Sequence, residues 1–175
     1  VDDFDSAYDA TSHLIKLGSK KIALLSTIHN LSVGKLRLEG YKKALSDANL
    51  SIDENLIILE TSIEDFDVKL QQLISSKKAD AIFALDEHSS TMTMRMALKQ
   101  GIKIPEELNI IGFADGVWSR RLTPSLSTVS QHAPEIGARA AELLIHKLNS
   151  KDEFYQPQTV VIKTELRQRE STRKL

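Results

Sequence analysis

Four short apolar runs, set between stretches of helical periodicity, restrict what this chain can become. Residues 21–26, 55–60, 81–85 and 109–113 are rich in Ile, Leu and Ala and show little polar alternation. A strand that is apolar at successive positions is buried on both faces, which happens when helices cover both sides of a parallel sheet. The helical spacing between the runs supplies those helices. The expected fold is therefore α/β: an open, mostly parallel sheet flanked by helices in three α/β/α layers and joined by right-handed crossovers.

Asp5 and Ser6 are placed to cap a first helix through Ala7, Ala10, Leu14 and Leu17, which Gly18 ends. A second helix runs through Leu36, Tyr41 and Leu45 and fades at Asn49, and a third uses Phe66, Leu70, Leu73 and Ile74. Ser89 and Ser90 can cap a fourth over residues 91–100, closed by Gly101. Past Pro124 the rhythm changes. Residues 126–130 read as a short strand, Pro134 suits the first position of a helix reaching Asn149, and residues 159–170 alternate like an antiparallel strand.

Composition enters mainly by exclusion. The chain has 175 residues, with 23 Lys and Arg against 24 Asp and Glu, a net charge of −1. That is a one-domain length without the basic surplus that nucleic acid requires. Cysteine is absent, which removes thiolate catalysis, disulfides and thiolate metal sites. His13, His29, His88, His132 and His146 show no metal-ligand spacing, and no nucleophile elbow, phosphate loop or dinucleotide fingerprint occurs. Neither a metal nor a cofactor is expected. No apolar run approaches a membrane span and no secretory signal is visible, so a cytoplasmic location without membrane partners is expected. The start at Val1 suggests a piece of something longer.

The ends of the apolar runs hold the candidate chemistry, because ligands of open parallel sheets bind at the carboxyl edge. The run 109–113 stops at Ala114-Asp115-Gly116. Asp115 either projects into a crevice or caps its own turn. Asp86 and Glu87 end the run 81–85 and outline an acidic metal or phosphoacceptor pocket, but Ser26 and Thr27 stand where that pocket would want acids. Arg37 lies one turn into the second helix. It either snorkels to solvent or turns its planar fork over the crevice.

Several blocks, taken together and in order, carry a resemblance. They are Val1-Asp2-Asp3, His13-Leu14-Ile15 with Leu17-Gly18, Arg37-Leu38-Glu39-Gly40-Tyr41, Ala81-Ile82-Phe83-Ala84, Ile104-Pro105-Glu106-Glu107-Leu108, Ile111-Gly112-Phe113, Thr123 to Val129 and Glu165 to Thr172. Over essentially its whole length the chain resembles the effector-binding part of LacI-type transcription regulators. The resemblance implies the fold of periplasmic sugar-binding proteins, in which two lobes hold a small effector, often a sugar, between them. Residues 1–175 match the second lobe, with 126–150 crossing toward a first lobe that this chain lacks. Operator DNA would be bound only by a helix-turn-helix domain that is also absent here.

Position by position, the resemblance makes Arg37, Asp86 and Asp115 ligand-binding residues. Leu85, Ala114 and Ala133 stand where the family often has an asparagine, an aspartate and an aromatic ring. Those departures take polar groups out of the crevice and put a sugar effector in question. The implied activity is effector sensing and dimerisation without catalysis. A free-standing solute-binding protein is the alternative, and a metal-dependent α/β enzyme built on Asp86, Glu87 and Asp115 a third.

Two apolar surfaces are expected to need partners. Met94 and Leu98 form a second stripe on the fourth helix, opposite Met92 and Met96. With Trp118 and Leu122 they match the family's homodimer interface. The helix from Pro134 carries Ile136, Ala140, Leu143, Leu144 and Leu148, which in the family pack on the first lobe. Here that stripe is expected to find another surface, most simply the same helix of a second copy.

Overall fold

The computed structural model describes residues 1–113, 115–150 and 156–174. Six strands form one sheet in the order β2-β1-β3-β4-β5-β6. These are β1 (Ile22–Ser26), β2 (Ile57–Leu59), β3 (Ala81–Ala84), β4 (Asn109–Gly112), β5 (Ser127–Ser130) and β6 (Glu165–Arg167). The first five run parallel, and β6 pairs antiparallel with β5. Every residue of β1, β3, β4 and β5 is buried, as the apolar runs require of a sheet covered on both sides.

The two faces hold separate cores. On one, α1 (Asp3–Lys16) and α2 (Ser32–Asp47) bring Ala7, Ala10, Leu14, Tyr41 and Leu45 onto Ile22, Leu24, Phe83 and Ile111. Gly40 lets these helices approach closely, since a Cβ there would run into the Phe4 carbonyl. On the other face, α3 (Ile63–Ser76) and α4 (Glu87–Lys99) bring Phe66, Leu70, Leu73, Met94 and Ala97 onto Leu25, Ile82 and Ile110. Alternate residues of each strand serve alternate cores. The strand order reverses between β1 and β3, so the crevice of a doubly wound sheet opens where those strands end, at Ser26 and Leu85.

Several elements differ from expectation, each for a local reason. Helix α1 begins at Asp3, ahead of the Asp5-Ser6 cap, and Ser6 lies inside it with its hydroxyl on the Asp2 carbonyl. Helix α4 begins at Glu87, not Thr91. Asp86 caps it, accepting from the Ser89 amide at 2.8 Å, while the Ser89 hydroxyl closes the capping box. A short helix, α5 (Val117–Arg121), follows β4 where no helical spacing announced it. Strand β6 occupies only Glu165–Arg167 of the expected 159–170. Its pairing ends at Ser130↔Glu165, where β5 stops, so residues 159–164 meet no neighbouring edge.

Met94 faces the core and is fully buried, which corrects its assignment to an exposed dimer stripe. Leu122 packs partly against the same core, while Leu98 and Trp118 are exposed, Trp118 at 63%. The last helix, α6 (Ala133–Asn149), is another matter. No residue of it is buried, and Leu148 is 74% exposed.

A charged cavity at the carboxyl edge

The loop after β4 carries Asp115 into a cluster of arginines. Its Oδ1 accepts from Arg169 Nη2 at 2.5 Å and from the Thr128 hydroxyl at 3.0 Å, and its Oδ2 pairs with Arg167. Asp115 is thereby sequestered, its side chain 5% exposed. Burial pushes its pKa up, but the hydrogen bonds from Arg169, Thr128 and Arg167 and the charge of Arg169 outweigh this and hold it below the usual 3.8. Arg169 also reaches the Leu126 carbonyl and the Thr128 hydroxyl. The chain beyond it is stitched into the sheet. The Ile110 amide donates to the Ser171 carbonyl, the Ser171 hydroxyl to the Ile110 carbonyl, and the Ser127 amide to the Ser171 hydroxyl.

Asp86 is likewise committed. While Oδ1 caps α4, Oδ2 accepts from the Thr27 amide at 2.8 Å, tying the ends of β3 and β1 together across the switch in strand order. Arg37 lies close by, 4% exposed. Its Nε and Nη2 bind Asp3 Oδ1 at 2.8 and 2.7 Å, its Nη1 donates to the Leu85 carbonyl at 2.7 Å, and its plane stacks 3.5 Å from the Phe113 ring centroid. Neither alternative drawn from the sequence describes it. Arg37 does not snorkel, and it turns inward as a pin between α1, α2, β3 and the end of β4. Leu85 contributes a backbone carbonyl, while its side chain sits wholly in the core and not on the cavity wall. Ala114 lies outside the described residues.

Beside this buried network a cavity of about 570 Å³ opens. Its wall brings together the amino end of α4 (Glu87), the β4–α5 segment (Asp115, Gly116, Arg120), the β5–α6 junction (Ser130 to Ile136) and Arg167 of β6. Of the expected ligand residues that are described, only Asp115 lines it. Ala133, the third departure from the family pattern, does too. Glu87, which the sequence offered as part of an acidic pocket with Asp86, lines it as well, whereas Arg120, Glu135 and Arg167 were missed as cavity groups. Arg167 could have been found from strand alternation, since it falls on the face opposite Leu166 and in register with Thr128. Arg120 had no comparable signal, because five helical residues are too few to show a period.

The class these features define is a doubly wound α/β lobe with its cavity at the carboxyl edge. The chain belongs to the periplasmic binding protein-like domain family, whose model matches residues 11–172. A curated relative, the HTH-type transcriptional repressor PurR of Haemophilus influenzae, is 31% identical over 161 residues, covering 89% of this chain and 48% of that protein. Among solved structures, the transcription regulator CcpA of Lactococcus lactis superposes with a TM-score of 0.86 at 28% identity, over 99% of this chain and 63% of that one. A complex of the transcriptional regulator CelR with cellobiose gives 0.86 at 26% identity, over 98% and 52%. These relatives are transcription regulators, in agreement with the resemblance to the LacI type. The chain spans about half the length of the curated relatives it matches.

Proposed function

We propose that this chain is the effector-sensing and dimerising lobe of a LacI-type transcription regulator, acting by binding and not by catalysis. The observation that carries the reading is the pairing of an open cavity at the sheet's carboxyl edge with α6, whose apolar face is uncovered immediately beyond it. That is the geometry of one wall of a cleft. The volume falls in the usual range for small-molecule sites, roughly 300–1,000 Å³. An effector held between this wall and a first lobe would shift the relative placement of the lobes, and operator binding by a helix-turn-helix domain outside this chain would follow. Similarity to named regulators favours this reading over a free-standing solute-binding protein. The exposed Leu98 and Trp118 are the apolar groups on this lobe best placed to meet a two-fold mate. A cytoplasmic location goes with the reading, and no helix among the described residues is long and apolar enough to cross a membrane.

The test uses the protein translated with whatever coding sequence precedes Val1. Its binding to DNA upstream of its own gene is followed by gel shift, with and without a fractionated pool of small metabolites. A fraction that changes the DNA affinity supports the reading, and sequence-specific binding that no fraction alters contradicts it. This lobe alone should show no sequence-specific shift.

A further inference from the structure

Resting on the cleft reading above, we propose that the effector carries one anionic group, a carboxylate or a phosphate, received by Arg120 and Arg167. The cavity wall lacks two features that suit a neutral sugar. Apart from His132, it presents no aromatic ring among the described residues, and Asp115, the acid best placed to accept sugar hydroxyls, is already saturated by Arg169, Thr128 and Arg167. What the wall does offer is two guanidiniums, Arg120 and Arg167, set beside the carboxylates of Glu87 and Glu135. Arg169 also pairs with Asp115, so that carboxylate does not depend on Arg167 alone. The Arg167 side chain is 35% exposed, and its hydrogen bonds to described residues use two of its five N–H groups, Nε on Glu165 at 3.0 Å and one Nη1 donor on Asp115. Glu165 is itself largely in solvent, so that pair is weak and exchangeable. Arg120, exposed on α5, has no ion-pair partner among the described residues.

A guanidinium matches the two oxygens of a carboxylate or phosphate with paired N–H donors. Glu87 and Glu135 line the same cavity. They disfavour an anionic group anywhere but at the guanidiniums and accept hydrogen bonds from hydroxyl or amine donors. The wall therefore selects a metabolite with one anionic group that also carries such donors.

The experiment measures binding to the full-length protein by calorimetry, with matched probes: hexoses, hexonates, hexose monophosphates, nucleosides and nucleoside monophosphates. Carboxylates or phosphates should bind where their neutral counterparts do not, and comparison of those two arms identifies the anion. R167Q should weaken that binding by at least ~10-fold, as expected for hydrogen bonds to a charged group. Ala133→Trp, at an exposed position on the wall, should block it. A neutral probe that binds, is blocked by Ala133→Trp and is indifferent to R167Q and R120Q would overturn the anionic proposal while leaving the cleft reading intact. If no probe binds, or if binding survives Ala133→Trp, both fall.

Discussion

Arg37 and Asp115 show how a charge can sit beside a crevice and still be spent on the fold. Each is buried, and each answers a group far away in sequence. Arg37 meets Asp3 across 34 residues, and Asp115 meets Arg167 and Arg169 across 52 and 54. Breaking such a pair strands a buried charge, which costs roughly 3–5 kcal/mol. Arg37→Met, which keeps the length of the stem but leaves Asp3 alone, should lower the unfolding free energy in urea by about that amount. An unchanged midpoint would place the guanidinium elsewhere. Asp115 supplies a pH signature. Its folded-state pKa lies below 3.8, so its contribution is fully present above the unfolded value and is lost as pH falls through the folded one. Asp115→Asn should therefore be destabilised by about 1.5–3 kcal/mol at neutral pH. The gap to the parent protein should close as pH falls below about 4, and a gap that stays constant would contradict the assignment. That these residues gather at the sheet's carboxyl edge was legible in the sequence. Which acid meets which base was not, because spacing carries no information on contacts so remote.

Elements were legible where one period dominates. The four apolar runs became β1 to β4, each slightly shortened; β1, β3 and β4 are buried throughout, which leaves a run of one type, and β2 is half-buried on either side of Ile58. Helix α4 was harder. Its buried face includes Ser90 and Thr93 beside Met94 and Ala97, so small polar residues hide the true apolar stripe. Those hydroxyls can sit in a core because they bond back to carbonyls four residues earlier, Ser90 to Asp86 at 2.6 Å and Thr93 to Ser89 at 2.7 Å. With the stripe hidden, Met94 reads as surplus, although it faces the sheet. The expected outcome for Met94→Glu changes accordingly. A carboxylate buried in that core should cost more than ~3 kcal/mol and unfold the lobe, rather than separate a dimer whose subunits stay folded. Circular dichroism alongside sedimentation distinguishes the two, and a folded monomer would return Met94 to the interface.

At the scale of the whole molecule, four helices already cover the two faces of the sheet, and α6 is left over. Its stripe of Ile136, Leu144 and Leu148 was plain from spacing, and that it would want a surface outside this chain came from the family resemblance. Burying a leucine is worth roughly 1.5–3 kcal/mol, and this chain by itself realises only part of that on α6, where Leu144 and Leu148 stay mostly exposed. Val160 and Val161, both exposed, add to the apolar surface on the path that returns to β6. A surface of this kind drives association, and in a preparation of this chain alone the available partner is a second copy. The double substitution L144Q/L148Q separates the possibilities. Because neither side chain is buried within the lobe, the unfolding midpoint should stay within about 0.5 kcal/mol of the parent. Concentration-dependent association in sedimentation velocity should fall sharply. If α6 instead folds back onto its own lobe in solution, the same substitutions would lower the midpoint at every protein concentration and leave the sedimentation behaviour unchanged.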